Sequence, residues 1–230
     1  MLPDDQQRGA KANTPHSRAG GHSVVDDDRQ VSFTRRRMLE RGTSNDFIAS
    51  VLGIGLGLGR GGPAVRAEDG AVGRQLEEYR SPDGSFALEY PAGFKAFSKP
   101  LKTHKMEVNF KSEDVKGYEI GVAVDPVTIE SLEKFGTPDE VGARVIRVEQ
   151  GKDGTLDTKL FDATAEKQGD LSLYTLDYFV ESTRGIKHFV AKVTIKNNLL
   201  YACTGQSKES DYPQVKEELK QMVKSFRVPA

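Results

Sequence analysis

Apolar side chains recur at two distinct spacings along the second half of the chain. Alternation at every second position marks strands with one buried face. It occurs in "SFALEY" (Phe86, Leu88, Tyr90), "KMEVNF" (Met106, Val108, Phe110) and "YEIGVAVDPV" (Tyr118, Ile120, Val122, Val124). It returns in "LSLYTLDYFVES" and in "KHFVAKVTIK", where Phe189, Ala191, Val193 and Ile195 form one stripe. "LLYACTGQ" follows after Asn197-Asn198, a pair that tolerates the left-handed angles of a tight hairpin. "TLDTKLFDATAE" alternates less cleanly and predicts a strand with a bend.

Two segments carry helical period instead. "TPDEVGARVIRVEQGK" opens with Thr137 as N-cap, Pro138 at the first helical position and acids at the positive end. Its apolar positions Val141, Val145 and Val148 are spaced by four and three. "SDYPQVKEELKQMVKSF" places Val215, Leu219, Met222 and Phe226 on one side, with Lys and Glu opposite. Strand pairs joined by short turns, with helices between and after them, predict an α+β fold: a mostly antiparallel sheet with helices packed on it.

The N-terminal part reads differently. Thr34-Arg35-Arg36-Arg37-Met38-Leu39 is close to a twin-arginine export pattern. Phe47 to Gly59 is an uncharged run of 13 residues, too short for a bilayer span but suited to a signal-peptide core. Val65-Arg66-Ala67 supplies small residues at the two positions a signal peptidase reads, so cleavage is expected after Ala67. Residues 1–33 hold few clustered apolar side chains and are expected to be a disordered transit segment. A two-stage presequence, 1–33 for an organelle and 34–67 for a second membrane, matches the route into the thylakoid lumen of a chloroplast. Asp4, Asp5 and Asp26 to Asp28 run against the acid-poor composition of transit segments.

The remaining residues, 68–230, suit one domain and carry 23 Lys plus Arg against 27 Asp plus Glu. No basic stripe with interleaved aromatics points to nucleic acid, and no second apolar run is long enough to span a membrane. Cys203 is the single cysteine, so no internal disulfide or cysteine-based zinc site is expected, and it reads as a small buried residue.

Three stretches carry a resemblance. "EKFGTPDEV", "RGIKHFVAKVTIKNNLLYACTGQ" and "FALEYPAGFK" appear in an order similar to that of the PsbP family, extrinsic lumenal proteins of photosystem II. The similarity covers roughly residues 85 to 228. It implies an antiparallel sheet sandwiched between helices, the PsbP/Mog1-like fold, and association with photosynthetic complexes on the lumenal side. PsbP proper helps retain calcium and chloride at the water-oxidising manganese cluster. This chain lacks the Ala-Tyr-Gly start and the longer tail before the first strand, and the segment after its first helix is short. Those departures favour the PsbP-like and PsbP-domain proteins, in assembly, repair or stabilisation of photosystem II or another thylakoid complex. The alternatives are a true oxygen-evolving-complex subunit and a manganese or calcium carrier.

Candidate site residues follow. The resemblance matches His188 to a histidine implicated in metal binding, with Glu209, or Asp211, as the partner acid. Two ligands are fewer than the four of a tight site, and the other reading is a surface histidine making one hydrogen bond. His104 lies between Lys102 and Lys105 and is expected to be solvated, with a pH-responsive role as the alternative. Asp125-Pro126 reads as a turn starter rather than a calcium ligand. Gly136 is expected to supply a special backbone angle before the helix cap. Lys95, Lys99, Lys102 and Lys105, four lysines in 11 residues, form either a solvated loop or a docking surface for an acidic partner. No G-x-S-x-G, H-E-x-x-H, P-loop or paired-cysteine motif is present, so no enzyme activity is expected.

Overall fold

The computed structural model describes residues 74–97 and 104–229. The export signal with Arg35, Arg36 and the cut after Ala67, and the loop lysines Lys99 and Lys102, lie outside the described residues.

The period-two segments form strands. A two-stranded antiparallel hairpin consists of β1 (Leu76–Arg80) and β2 (Ala87–Pro91). The main sheet holds β3 (Lys95–Phe97), β4 (Met106–Lys111), β5 (Glu119–Pro126), β6 (Thr155–Gln168), β7 (Leu171–Ser182), β8 (Gly185–Lys196) and β9 (Leu199–Lys208). Its order is β3-β4-β5-β9-β8-β7-β6, antiparallel at every junction. The helices are α1 (Leu132–Phe135), α2 (Pro138–Gln150) and α3 (Tyr212–Ser225). After β5 the chain crosses one face of the sheet through α1 and α2 to reach the far-edge strand β6. It then returns strand by strand, so that β9 closes against β5.

Each strand divides its side chains between two cores because successive residues point to opposite faces. On one face Ile120, Val122, Val124, Val190, Tyr201 and Cys203 pack with Val215, Leu219, Met222 and Phe226 of the α3 region and with Phe86 and Leu88 of the hairpin. On the other, Ala123, Tyr178, Phe189, Ala191, Val193, Ile195, Leu200 and Ala202 pack with Leu132, Phe135, Val141 and Val145 of α1 and α2. The sheet is therefore covered on both faces, as the sequence predicts. Cys203 is fully buried, and that burial pushes its thiol pKa well up, so it is inert packing.

The two long helices start and sit as their residues require. Thr137 Oγ1 accepts from the Glu140 N–H at 3.3 Å while Glu140 Oε2 accepts from the Thr137 N–H at 2.9 Å, a complete capping box with Pro138 following. Gly136, just before it, has φ +147°, the special angle expected there. Helix α3 approaches β9 so closely that a Cβ built on Gly205 would lie 2.5 Å from Leu219 Cδ1. Asn197 and Asn198 take φ of 51° and 57° and turn β8 into β9. The bend expected in the sixth strand is two register shifts, between Thr155 and Asp157 and between Leu160 and Asp162.

Three elements differ from the sequence reading. The segment before "SFALEY" is not a mere lead-in, since Leu76–Arg80 pairs with Ala87–Pro91. In "LEEYR" only Leu76 and Tyr79 are apolar, three apart, so no period-two signal exists. The lysine-rich stretch begins as a three-residue edge strand, Lys95–Phe97, paired with β4. The one-turn helix Leu132–Phe135 is too short to show a period.

Candidate functional site

His188 is at the centre of the most highly connected polar cluster. Strand alternation puts it on the face opposite Phe189 and Val193, as the sequence predicts, but that face is not solvent. The N-terminal turn of α3 lies over it, and His188 is only 4 % exposed. A surface histidine is therefore ruled out. Its Nδ1 is 2.8 Å from Glu209 Oε2, in the β9–α3 turn, and its Nε2 is 2.6 Å from Asp177 Oδ1, on the neighbouring strand β7. Tyr212, the first residue of α3, stacks on the imidazole with ring centroids 3.4 Å apart and an interplanar angle of 11°. Phe161, at the second bulge of β6, lies parallel to the same ring at 5.4 Å. Lys220, two turns along α3 from Tyr212, brings its Nζ to 2.9 Å from Asp177 Oδ2.

The chemistry follows from donor and acceptor counts. Carboxylates only accept, so both contacts of the ring are satisfied together when each nitrogen carries its N–H. Burial raises the Asp177 pKa, but hydrogen bonds and charge from His188 and Lys220 outweigh it and hold the carboxyl below its ordinary value. Tyr212 is shifted the other way: burial, then the negative charge and hydrogen bond of Asp177, push its phenol well up. The cluster thus joins β7, β8, the β9–α3 turn and α3 through charge-assisted hydrogen bonds and ring stacking. The imidazole is buried beneath α3 with both ring nitrogens already engaged by carboxylates.

The expected pairing of His188 with Glu209 is present; Asp211 instead precedes α3 at its N-cap position, without a side-chain capping bond, and sits 3.9 Å from Lys208. Among the described residues no group of three or more His, Cys, Asp or Glu side chains is arranged to hold a metal ion. Metal on this pair would require His188 to give up one of its carboxylate contacts and the proton on that nitrogen. Sequence reasoning missed Asp177, Tyr212 and Lys220. The available signal was weak: Asp177 shares the polar side of "LSLYTLDYFVES" with Thr175, and only the register shows that this side meets His188.

The other candidates separate. His104 is not solvated: its Nδ1 is 2.6 Å from Asp125 Oδ2, and the side chains are 12 % and 0 % exposed. Asp125 and Pro126 end β5, the structural placement expected, and Asp125 is buried there with its other oxygen unpartnered among the described residues. Lys95 is exposed and pairs with Glu113 at 2.6 Å, and Lys105 is exposed. The described ends of the lysine-rich segment are thus on the surface.

Comparison with known proteins bears on this arrangement. The PsbP family model matches residues 74–228. PsbP domain-containing protein 2, chloroplastic, of Arabidopsis thaliana is 28 % identical over 130 residues, covering 55 % of this chain and 53 % of that protein. CyanoP of Thermosynechococcus vestitus is 28 % identical over 116 residues, covering 47 % and 63 %. The chain spans between about half and two thirds of the length of these two relatives. Among solved structures, cyanobacterial PsbP (CyanoP) from Synechocystis sp. PCC 6803 superposes with a TM-score of 0.58 at 21 % identity. That match covers 71 % of this chain and 98 % of that one, a likeness of fold. With the family match spanning nearly all the described residues and the sheet covered by helices on both faces, this chain belongs to the PsbP family.

Proposed function

We propose that the chain is a non-enzymatic accessory protein that docks on photosystem II at the lumenal face of the thylakoid membrane, in its assembly, repair or stabilisation. The observation that carries this reading is the PsbP match across residues 74–228. Two features support it. The relatives are named as chloroplastic PsbP-domain proteins and as a cyanobacterial PsbP. The polar cluster around His188 ties β7, β8 and α3 of the protein to one another. Among the described residues no helix is long and apolar enough to cross a membrane, which agrees with peripheral attachment. Docking through Lys95 to Lys105 requires Lys95 to exchange Glu113 for an acidic partner group. The test is reconstitution: the purified chain, cut after Ala67, is added to photosystem II membranes stripped by a salt wash. Saturable binding that weakens as salt rises is expected. Binding unaffected by salt, or equal binding by a Lys95→Glu, Lys105→Glu variant, contradicts docking by this surface.

A metal-loaded form is the second reading, favoured by the 2.8 Å approach of His188 to Glu209. The pair would hold manganese or calcium once a ring nitrogen is freed, with further ligands from the partner or water. Calorimetric titration with each metal tests this, and equal heats for the parent chain and His188→Ala remove the reading.

A further inference from the structure

At the β7–β8 hairpin end of the sheet, on the face covered by α2, the last turn of that helix and the strands enclose a cavity of about 110 Å³. Val180 and Phe189 form its apolar wall, and Lys152, Arg184 and Lys187 stand around it. Lys152 is already neutralised, with its Nζ 2.7 Å from Oε1 of the buried Glu149. Lys187 is different. Alternation along β8 points it to the same side as Phe189, and among the described residues it forms no ion pair. Burial lowers its pKa from the ordinary lysine value, opposed in part by the charge of Glu119.

A half-buried ammonium that makes no direct ion pair among the described residues is an unfavourable arrangement that a bound anion would relieve. The cavity's remaining charges are Arg184 and Asp153, so after the Glu149–Lys152 pair is set aside one net positive charge is left. The cavity has room for several water-sized groups, and Val180 and Phe189 give it an apolar side.

We propose that this cavity is a binding site for a carboxylate on a short apolar stem, the carboxylate on Lys187 and Arg184 and the stem against Val180 and Phe189. Two sources present that chemistry: a free short-chain acid and the terminal carboxylate of a peptide. The site is separate from the His188 cluster, which is on the opposite face of β8, and does not depend on where the protein docks.

The test is a nuclear magnetic resonance titration of the chain cut after Ala67. The probes are butanoate, its neutral counterpart butanamide, and acetyl-Gly-Gly-Val as the free acid and as the amide. Saturable shifts of the Thr183, Arg184, Lys187 and Phe189 amides are expected with the acids and not with the amides. The Lys187→Gln variant should lose about tenfold in affinity, the scale of one charge-assisted hydrogen bond, and Arg184→Gln a smaller factor. Removing a desolvated charge favours the fold, so Lys187→Gln should remain folded; Arg184→Gln, on an exposed turn, gives a second reading if it does not. Tighter binding of the peptide acid than of butanoate assigns a chain terminus, and the reverse assigns a free acid. Equal response to acids and amides, no saturable shift with either acid, or full affinity in both variants overturns the proposal.

Discussion

The behaviour of Asp177 decides whether the His188 cluster clamps the fold. Its carboxyl is held below the ordinary aspartate value, so the charged form is favoured in the folded state. A depressed acid contributes stability that is present above its unfolded pKa and lost as the pH falls through its folded pKa. Asp177→Asn should therefore cost stability at neutral pH, about 3 kcal/mol because it leaves His188 and Lys220 short of a buried partner. The gap between variant and parent should close below pH 3.8, and denaturant unfolding at a series of pH values measures it. A gap that persists unchanged in acid would mean that packing, not charge, is what the substitution removes. Lys187 predicts a slope of the same sign in a different, alkaline window. Its pKa is lowered from 10.5, so the unliganded fold should gain stability as the pH rises through the window just below that value, and Lys187→Met should remove that gain.

Among the elements, helix α3 packs closely on its bed, β9. Leu219 is fully buried and lies against Gly205. Leu219→Ala should destabilise by about 2–5 kcal/mol. Gly205→Val should also destabilise, because even its first carbon would meet Leu219 Cδ1 at 2.5 Å. Thr137→Ala removes half of the capping box of α2 and should cost about 1 kcal/mol. Thermal unfolding of the three variants checks the order, with the cap change the mildest. These elements were legible beforehand because each has a local signature: Thr137-Pro138 at a helix start, Val215 and Leu219 four apart, Asn197-Asn198 at a hairpin. β1 had none, because "LEEYR" gains its strand conformation by pairing with β2 and by docking on the α3-side core. The candidate site was legible only in part for a related reason. His188 and Glu209 stood out by residue type and resemblance, whereas Asp177, Tyr212 and Lys220 join them through register and the approach of α3, which a linear pattern does not encode.

For the whole molecule, the sheet acts as a rigid centre that leaves its rim for interaction. Both faces are largely covered, and the exposed large apolar residues among those described, Leu156, Phe161 and Ile186, are on β6 and the start of β8. The lysine-rich segment follows the opposite edge strand, β3. A partner held mainly by those lysines would be released by salt, since exposed charge pairs are screened beyond about 8–10 Å at ordinary ionic strength. The export reading is tested at the same scale by intact-mass analysis of the native protein, which should begin near Glu68. A mature form retaining Arg35 and Arg36 would contradict it.

The central claim is association with photosystem II as an accessory protein, and native fractionation of solubilised thylakoids tests it most directly. The protein would be followed by mass spectrometry before and after a high-salt wash. The account predicts that it co-migrates with photosystem II complexes, chiefly the smaller assembly or repair forms, and moves to the free pool after salt. Constant stoichiometry with the active oxygen-evolving complex would favour the permanent-subunit alternative. Absence from every photosystem II fraction before the wash, with the protein bound elsewhere or wholly outside the thylakoid, would contradict the claim.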